Sequence, residues 1–245
     1  MSRHKWVLDQ AFASDDITSS FGSLDTVFEL TGEQITRDAI SDVIKVLIAD
    51  KYYYVKRYAR KGNGLGQWLG RSKIRGEWQN LLFFQKLGLP VPPIVAYGAK
   101  GQRGALITQE VPDTTDLSLL AMRQDPCLKD SQWVKCVSVQ VAKAARTIHR
   151  QGFVHNDFKW RNILVNAGAN PEICLIDCPS GGFWWGPFLQ YRIIKDLACL
   201  DKVAKHHLTR RQRLFFYYSY TGKTKLTAAD KKRVGKIEHF FKGRE

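Results

Sequence analysis

No stretch of this chain approaches the roughly 20 consecutive apolar residues that a membrane-spanning helix needs. The N-terminus, MSRHKWVLDQ, lacks the apolar core of a signal peptide. A protein that is soluble, or that sits on a membrane surface without crossing it, is therefore expected. None of the five cysteines (Cys127, Cys136, Cys174, Cys178, Cys199) forms a CxxC pair. The odd count and loose spacing predict reduced thiols and a cytosolic compartment. There is no repeat at a fixed period, no low-complexity tract and no recognisable nucleic-acid motif. Acidic residues are also scarce: 23 against 38 Lys and Arg, a net charge of +15. From Lys51 to Gly76 there are eight basic residues and no acid, and from Lys202 to Glu245 thirteen basic residues and three acids. Such a field draws polyanions such as nucleic acid, anionic lipid headgroups or phosphorylated glycans, although solvated helix faces give the same composition.

What is present divides into two parts. Residues 1–26 are polar and weakly patterned and read as a loosely ordered lead. From Val27 to Tyr58 the pattern is of strands. The β-branched and aromatic runs Val43–Ile48 and Tyr52–Lys56 flank a turn at Ala49–Lys51. A loop rich in Gly and basic residues follows, from Arg60 to Arg71. Ser72 to Leu87 has helical spacing and is closed by Gly88 and by Pro90, Pro92 and Pro93. Short strands fit 94–98 and 105–111. Beyond this, Trp133 to Ile148, 191–206, 210–220 and 227–241 read as helices, and 163–165 with 173–176 as a two-stranded element. The expected fold class is α+β: a small β-rich lobe with one long helix over 27–111, and a larger, mostly helical lobe over 112–245 with basic C-terminal helices.

The densest chemistry lies in VHNDFKWRNILV, residues 154–165. It places His155, Asp157, Lys159 and Asn162 in one short loop before an apolar triplet, the layout of a phosphotransferase catalytic loop. Phosphoryl transfer needs a cation on the nucleotide phosphates, a metal held by an acid and an amide, and a group that orients the attacking hydroxyl. Candidates occur in that order along the chain. Lys56 ends the strand YYYVK, and Glu77, 21 residues on, can pin it from the following helix. Asp157 is the candidate for the hydroxyl-orienting acid, and Lys159 can neutralise charge on the transferring group. Asn162 and Asp177, the latter ending the strand ICLID, offer oxygen ligands suited to Mg²⁺ or Mn²⁺. His155 reads as a loop-packing residue. Asp196 reads as a buried helix acid that accepts backbone N–H groups of the catalytic loop. Taken singly, a strand-end Lys is usually solvated and a helix Glu usually makes a surface pair; the joint order is what argues for a site.

With these residues in view, the chain resembles the protein-kinase-like superfamily, and within it the bacterial lipopolysaccharide core kinases that phosphorylate heptose or Kdo sugars. The likeness spans most of 27–205. It is densest in YYVKRYARKGNGLGQWLGRSKIRGEWQNLLFFQKLGLPVPPIVAYG, in HNDFKWRNILV with LIDC, and in RIIKDLACL. It implies a bilobal kinase-like fold, ATP with Mg²⁺ (or Mn²⁺), and the roles given above to Lys56, Glu77, Asp157, Asn162 and Asp177. It further implies an interlobe hinge at 108–111, where the Gln109 carbonyl and the Val111 N–H would meet adenine. There are departures. No GxGxxG precedes Lys56, so the phosphate-covering loop is expected at Gln34–Asp42. Gly62, Gly64 and Gly66 come after Lys56 and read as a flexible connector. Asp177 is followed by Cys178 and Pro179, not Phe-Gly, and only thirteen residues separate it from Tyr191. That is short for a peptide-docking platform and favours a small or glycan acceptor.

The aromatic stretch Gly181–Phe188 sits where an acceptor should approach. Its rings suit sugars or a membrane interface, as do Trp68 and Leu69 in the basic loop. The expected activity is ATP-dependent phosphorylation of a heptose or Kdo hydroxyl. The expected acceptor is the lipid A-linked core, met at the cytoplasmic face of the inner membrane, with an anionic membrane surface as partner and no nucleic acid. The alternatives are a kinase for another small molecule or a protein, and a pseudokinase or basic nucleic-acid-binding module.

Overall fold

The computed structural model describes residues 6–59 and 73–243. The connector glycines Gly62, Gly64 and Gly66, with Arg60, Lys61, Trp68, Leu69 and Arg71, lie outside the described residues. Contacts divide the chain into two compact units, 1–79 with 92–112 and 80–91 with 113–245.

The first unit holds β1 (Val7–Leu8), α1 (Asp15–Phe21), α2 (Leu24–Glu29), β2 (Glu33–Arg37), β3 (Ser41–Ile48), β4 (Lys51–Ala59), the first half of α3 (Lys73–Lys86), β5 (Ile94–Lys100) and β6 (Arg103–Gln109). The strands form one sheet of order β1-β5-β6-β4-β3-β2, antiparallel throughout. The β3–β4 hairpin closes through Ala49 and Asp50 at φ 46° and 59°. Two successive positive φ values give the turn whose twist matches that of the flanking strands. Alternation then sets the two faces. Ile44, Val46, Tyr53 and Val55 turn inward, while Tyr54, Lys56 and Tyr58 share the opposite face.

The expected loosely ordered lead is corrected here. Residues 15–21 and 24–29 are helices, started by the Ser14 and Ser23 side chains, which accept from the Ile17 and Thr26 N–H groups. Their apolar residues Ile17, Phe21, Leu24 and Val27 pack into the sheet's core, Phe21 edge-on to Tyr53 at 5.3 Å. Val27 is therefore helical, not the start of a strand. The first strand pairing of the hairpin region begins at Glu33.

The second unit begins within α3, whose C-terminus is closed as expected: Gly88 takes φ 68° and the Leu89 N–H returns to the Phe84 carbonyl at 3.0 Å. It continues with β7 (Thr114–Asp116), α4 (Leu117–Met122), α5 (Ser131–Arg150), β8 (Phe153–Val154), β9 (Ile163–Asn166), β10 (Ile173–Leu175), β11 (Gly182–Phe183), α6 (Gly186–His207), α7 (Arg210–Thr221) and α8 (Ala228–Glu238). Helix α5 buries Val134, Val137, Val141, Ala145 and Ile148 at spacings of three and four. Thr209 with Gln212 and Thr227 with Asp230 form capping boxes at α7 and α8. The two-stranded element predicted at 163–176 gains a third strand, β7, beside β9. Beneath β8 and β11, Phe83 and Phe84 from α3 meet Phe153 at 5.1 and 5.5 Å. The α+β class with its β-rich and helical parts is as the sequence predicts.

The integration of the N-terminal helices can be measured directly. Phe21→Ala removes a ring with no solvent exposure, and urea unfolding should show a loss of about 3–5 kcal/mol. A dispensable lead would show almost none.

Candidate active site

In the first unit, β4 and α3 bring the expected pair together. Lys56 Nζ lies 2.8 Å from Glu77 Oε2, and Glu77 is only 3% exposed. A carboxylate so buried needs its partners, and it has a second one: the Tyr58 hydroxyl donates to Glu77 Oε2 at 3.1 Å. Burial, followed by the Glu77 charge, raises the Tyr58 phenol well above its ordinary range, so it remains a donor. Tyr58 was not anticipated, though Lys56 and Tyr58 stand two apart on one strand face, which is the pattern that could have revealed it.

At the end of β6, Gln109 gives its N–H to the Pro93 carbonyl and Glu110 gives its N–H to the Tyr52 carbonyl, both at 2.9 Å. Tyr53 and Gln109 are thus a non-hydrogen-bonded pair of the ladder. Chain pairing ends at Gln109, so Glu110 and Val111 leave the predicted strand as irregular backbone. Lys45 holds Glu110 at 2.8 Å, and that hydrogen bond raises the Lys45 pKa. The expected phosphate-covering loop, Gln34–Asp42, is a β2–β3 hairpin. Asp38 accepts from the N–H groups of Ile40 and Ser41, each at 2.8 Å. Those amides are already engaged by a carboxylate, unlike the amides of a glycine-rich phosphate loop.

In the second unit, the catalytic-loop candidates converge. The Asn162 side-chain amide donates to the Asp157 carbonyl at 2.8 Å, and the Ile176 N–H donates to the Asn162 carbonyl at 3.0 Å. Asn162 is buried, and its side-chain oxygen is of a kind that can accept a hydrogen bond or coordinate a metal. Lys159 Nζ lies 2.5 Å from Asp157 Oδ1, and Arg161 lies 3.5 Å from Oδ2. Burial alone pushes the Asp157 carboxyl up, but the Lys159 hydrogen bond and the charges of Lys159 and Arg161 outweigh it and hold the carboxyl below its ordinary value. Asp177 sits at φ 57°, in the left-handed region. An Asp can adopt this conformation at modest cost, and such strain clusters at functional sites.

The loop is braced from behind. His155 is fully buried and stacks on Phe158 at 4.9 Å with 6° between the planes. Desolvation lowers its pKa, so it is a neutral packing residue. The His155 backbone N–H donates to Asp196 Oδ2 at 2.7 Å, and the same oxygen meets His149 Nε2 at 3.3 Å, with Tyr220 on the other His149 nitrogen at 2.9 Å. The segment after Asp177 is also tied down. Asn80 of α3 donates to the Cys178 and Gly181 carbonyls at 2.6 and 3.1 Å. Asn156, at φ 66°, donates to the Ser180 carbonyl at 2.7 Å and accepts from Arg192 at 2.8 Å. The Arg192 guanidinium lies 3.5 Å over the Trp184 ring. The Asn80, Asn156 and Arg192 contacts join residues remote in sequence and carry no local pattern. Of the two adjacent tryptophans, Trp184 is covered in this way and Trp185 is 77% exposed.

As metal ligands Asn162 and Asp177 would offer one amide oxygen and one carboxylate. This suits Mg²⁺, which typically takes one or two carboxylates plus substrate phosphates and keeps several waters. Among the described residues no group of three or more His, Cys, Asp or Glu converges as a soft-metal cage would require. All five cysteines are free, and burial pushes the Cys174 and Cys199 thiols up to about 12 and about 11. Cys174 and Cys199 are therefore protonated and poorly nucleophilic at neutral pH. The second unit also has a half-open, mostly apolar cavity of about 410 Å³, lined among others by Trp133, Val137, Leu200, Phe216 and Ile237, with Asp201, Arg213 and Glu238 on its wall. The buried Trp133 Nε1 has no hydrogen-bond partner among the described residues.

The family model described as "Lipopolysaccharide kinase (Kdo/WaaP) family" matches residues 23–234. No curated protein sequence matches the chain. A solved structure described as "WaaP in complex with acyl carrier protein" superposes with a TM-score of 0.73 at 23% identity, covering 96% of this chain and 97% of that one.

Two measurements probe this geometry. Lys159→Met should raise the Asp157 pKa above its wild-type value in a carboxyl ¹³C NMR titration, because burial then acts with less opposition. In the wild type the depressed carboxyl contributes stability that is complete above its unfolded pKa and is lost as pH falls through the folded one; the variant should lose it at higher pH. Tyr58→Phe leaves Glu77 with one donor fewer and should cost about 1 kcal/mol in urea unfolding.

Proposed function

The chain belongs to the lipopolysaccharide kinase (Kdo/WaaP) family, and from this we propose that it transfers the γ-phosphoryl group of ATP to a heptose or Kdo hydroxyl of the lipid A-linked core. The observation that carries the reading is the cluster in the second unit: Asp157, Lys159 and Asn162 on one braced loop, with Ile176, next to Asp177, bonded to Asn162. In the proposed reaction the acceptor oxygen bonds to the γ-phosphorus while the bond to the bridging oxygen of ADP breaks. Asp157 accepts the hydroxyl's hydrogen bond and aligns it, and takes the proton late. Lys159 offsets charge on the transferring group. Lys56, steadied by Glu77, holds the α/β-phosphates, and the Gln109 carbonyl and Val111 N–H meet the adenine edge. Asn162 and Asp177 would hold Mg²⁺ (or Mn²⁺), which neutralises phosphate charge when bound. The short, pinned segment after Asp177 favours a glycan over a peptide acceptor, and a lipid-linked acceptor places the work at the cytoplasmic face of the membrane.

A second partner has its own support. The similar structure is of WaaP with acyl carrier protein, and the cavity of about 410 Å³ with its apolar lining suits an acyl chain. We therefore propose that this chain also engages acyl carrier protein. Co-elution of the acylated form, weakened by Val137→Trp filling the cavity, is the expected result.

Asp157→Ala should lower transfer of labelled phosphate from ATP to purified core acceptor by about 10³-fold or more, a typical scale for a positioned acid–base group, while the ATP-induced thermal shift persists. Wild-type turnover in the variant would sink the reading. Mass spectrometry of core oligosaccharide from cells with and without the protein should show one phosphate missing and identify the sugar.

A further inference from the structure

Four large apolar side chains stand in water within nine residues: Phe183, Trp185, Phe188 and Tyr191 are 59%, 77%, 67% and 50% exposed. Scattered singly on a surface they would be ordinary; gathered in one segment they mark a contact. Helix geometry shows how they are presented. Helix α6 buries Ile193, Leu197, Leu200 and Ala204 along one stripe. Phe188, Tyr191, Lys195 and Lys202 fall at i, i+3, i+7 and i+14, on the opposite stripe. Along it Phe188, Tyr191 and Lys202 are exposed and Lys195 is half-buried, while Ala198 and Cys199 on its flanks are buried. Trp185, the N-cap residue, lies beside its aromatic end.

The neighbouring element continues the same surface. Arg233 of α8 donates to Gln190 at 3.2 Å, Tyr191 meets the Phe240 ring at 5.5 Å, and Lys202 lies 5.2 Å over Phe241. From Lys231 to Lys242 there are five cations and one acid, Glu238, which Arg213 holds at 3.2 Å. Asp230, just before them, is held by Lys223 at 2.7 Å. Lys231, Lys232 and Lys236 are exposed. Acids are thus tied within the fold, and cations face solvent beside the aromatic cluster.

We propose that the α6–α8 surface docks the protein on an anionic membrane, with Trp185, Phe188 and Phe183 entering the headgroup layer and the lysines of α6 and α8 lying against acidic headgroups. Charge complementarity selects this occupant. Aromatic rings with polar or cationic neighbours suit the headgroup boundary, and clustered lysines attract anionic lipid. No described helix is long and apolar enough to cross a membrane, so the contact is peripheral. The inference rests on the proposed lipid-linked acceptor for its purpose, but not for its geometry.

Full-length protein, Trp185→Ser/Phe188→Ser and Lys232→Glu/Lys236→Glu are to be sedimented with vesicles of phosphatidylcholine, with and without phosphatidylglycerol. The wild type should bind only the anionic vesicles and release them in salt. Each double variant should lose about tenfold or more in vesicle affinity with its melting temperature unchanged, and Lys232→Glu/Lys236→Glu should also keep its phosphate transfer to delipidated core oligosaccharide. Retained vesicle binding in both variants overturns the proposal. So does a parallel loss of transfer to the soluble oligosaccharide, which would make the rings a sugar platform. Loss of acyl carrier protein capture with vesicle binding intact would assign the surface to that partner instead. A wild type that binds vesicles but phosphorylates no core acceptor leaves the docking surface standing and refutes the proposed activity.

Discussion

A carboxylate removed from water must find its partners inside the protein, and this constraint organises both units. Asp196 has no exposure; its Oδ2 collects the His155 backbone N–H and His149 Nε2, while its Oδ1 has no hydrogen-bond partner among the described residues. Meeting that demand fixes the backbone at His155, two residues ahead of Asp157. Stacking of His155 on Phe158 fixes the other side of the same residue. Glu77 obeys the same constraint in the first unit, where Lys56 and the Tyr58 hydroxyl satisfy it. Removing Lys56 would leave Glu77 buried without its cation, which costs more than the pair itself contributes. The ionic contacts are therefore better understood as positioning devices than as sources of net stability.

Legibility in the sequence followed the range of the interactions. Strands β3 and β4, their two-residue turn, the end of α3 at Gly88, and α5 with its apolar stripe all rest on local periodicity or turn chemistry. The sequence predicts each of them within a few residues. Lys56 with Glu77, and Asp157 with Asn162, were readable because phosphoryl transfer fixes their order along the chain. The N-terminal helices were not: their polar surfaces hide the pattern, and only the sheet supplies the partner that buries Phe21 and Val27. The Asn80 clamp, ninety-eight residues from Cys178, and the Asn156–Arg192 contact are tertiary facts with no local trace.

The departures from a protein-kinase pattern have a common physical theme. Where a glycine loop would offer free amides to phosphates, Asp38 already takes the N–H groups of Ile40 and Ser41. Where a long segment would wait to be ordered by added charge, the stretch after Asp177 is held by Asn80, Asn156 and β11 pairing with β8. Cys178, fully buried, fills the position that would carry a Phe. Both regions exchange adaptability for fixed hydrogen bonds.

The pairing of Asp157 with Lys159 constrains the chemistry further. An ammonium 2.5 Å away that holds the carboxyl below its ordinary pKa makes Asp157 ionised at every working pH and a poor base. A mechanism that required early deprotonation of a sugar hydroxyl would be opposed by this arrangement. A loose transition state needs only an aligned hydroxyl and a field that tolerates spreading phosphate charge. In the proposed reaction the same lysine that weakens Asp157 as a base would be the cation that balances that charge, and the pair would orient the acceptor first and receive its proton last.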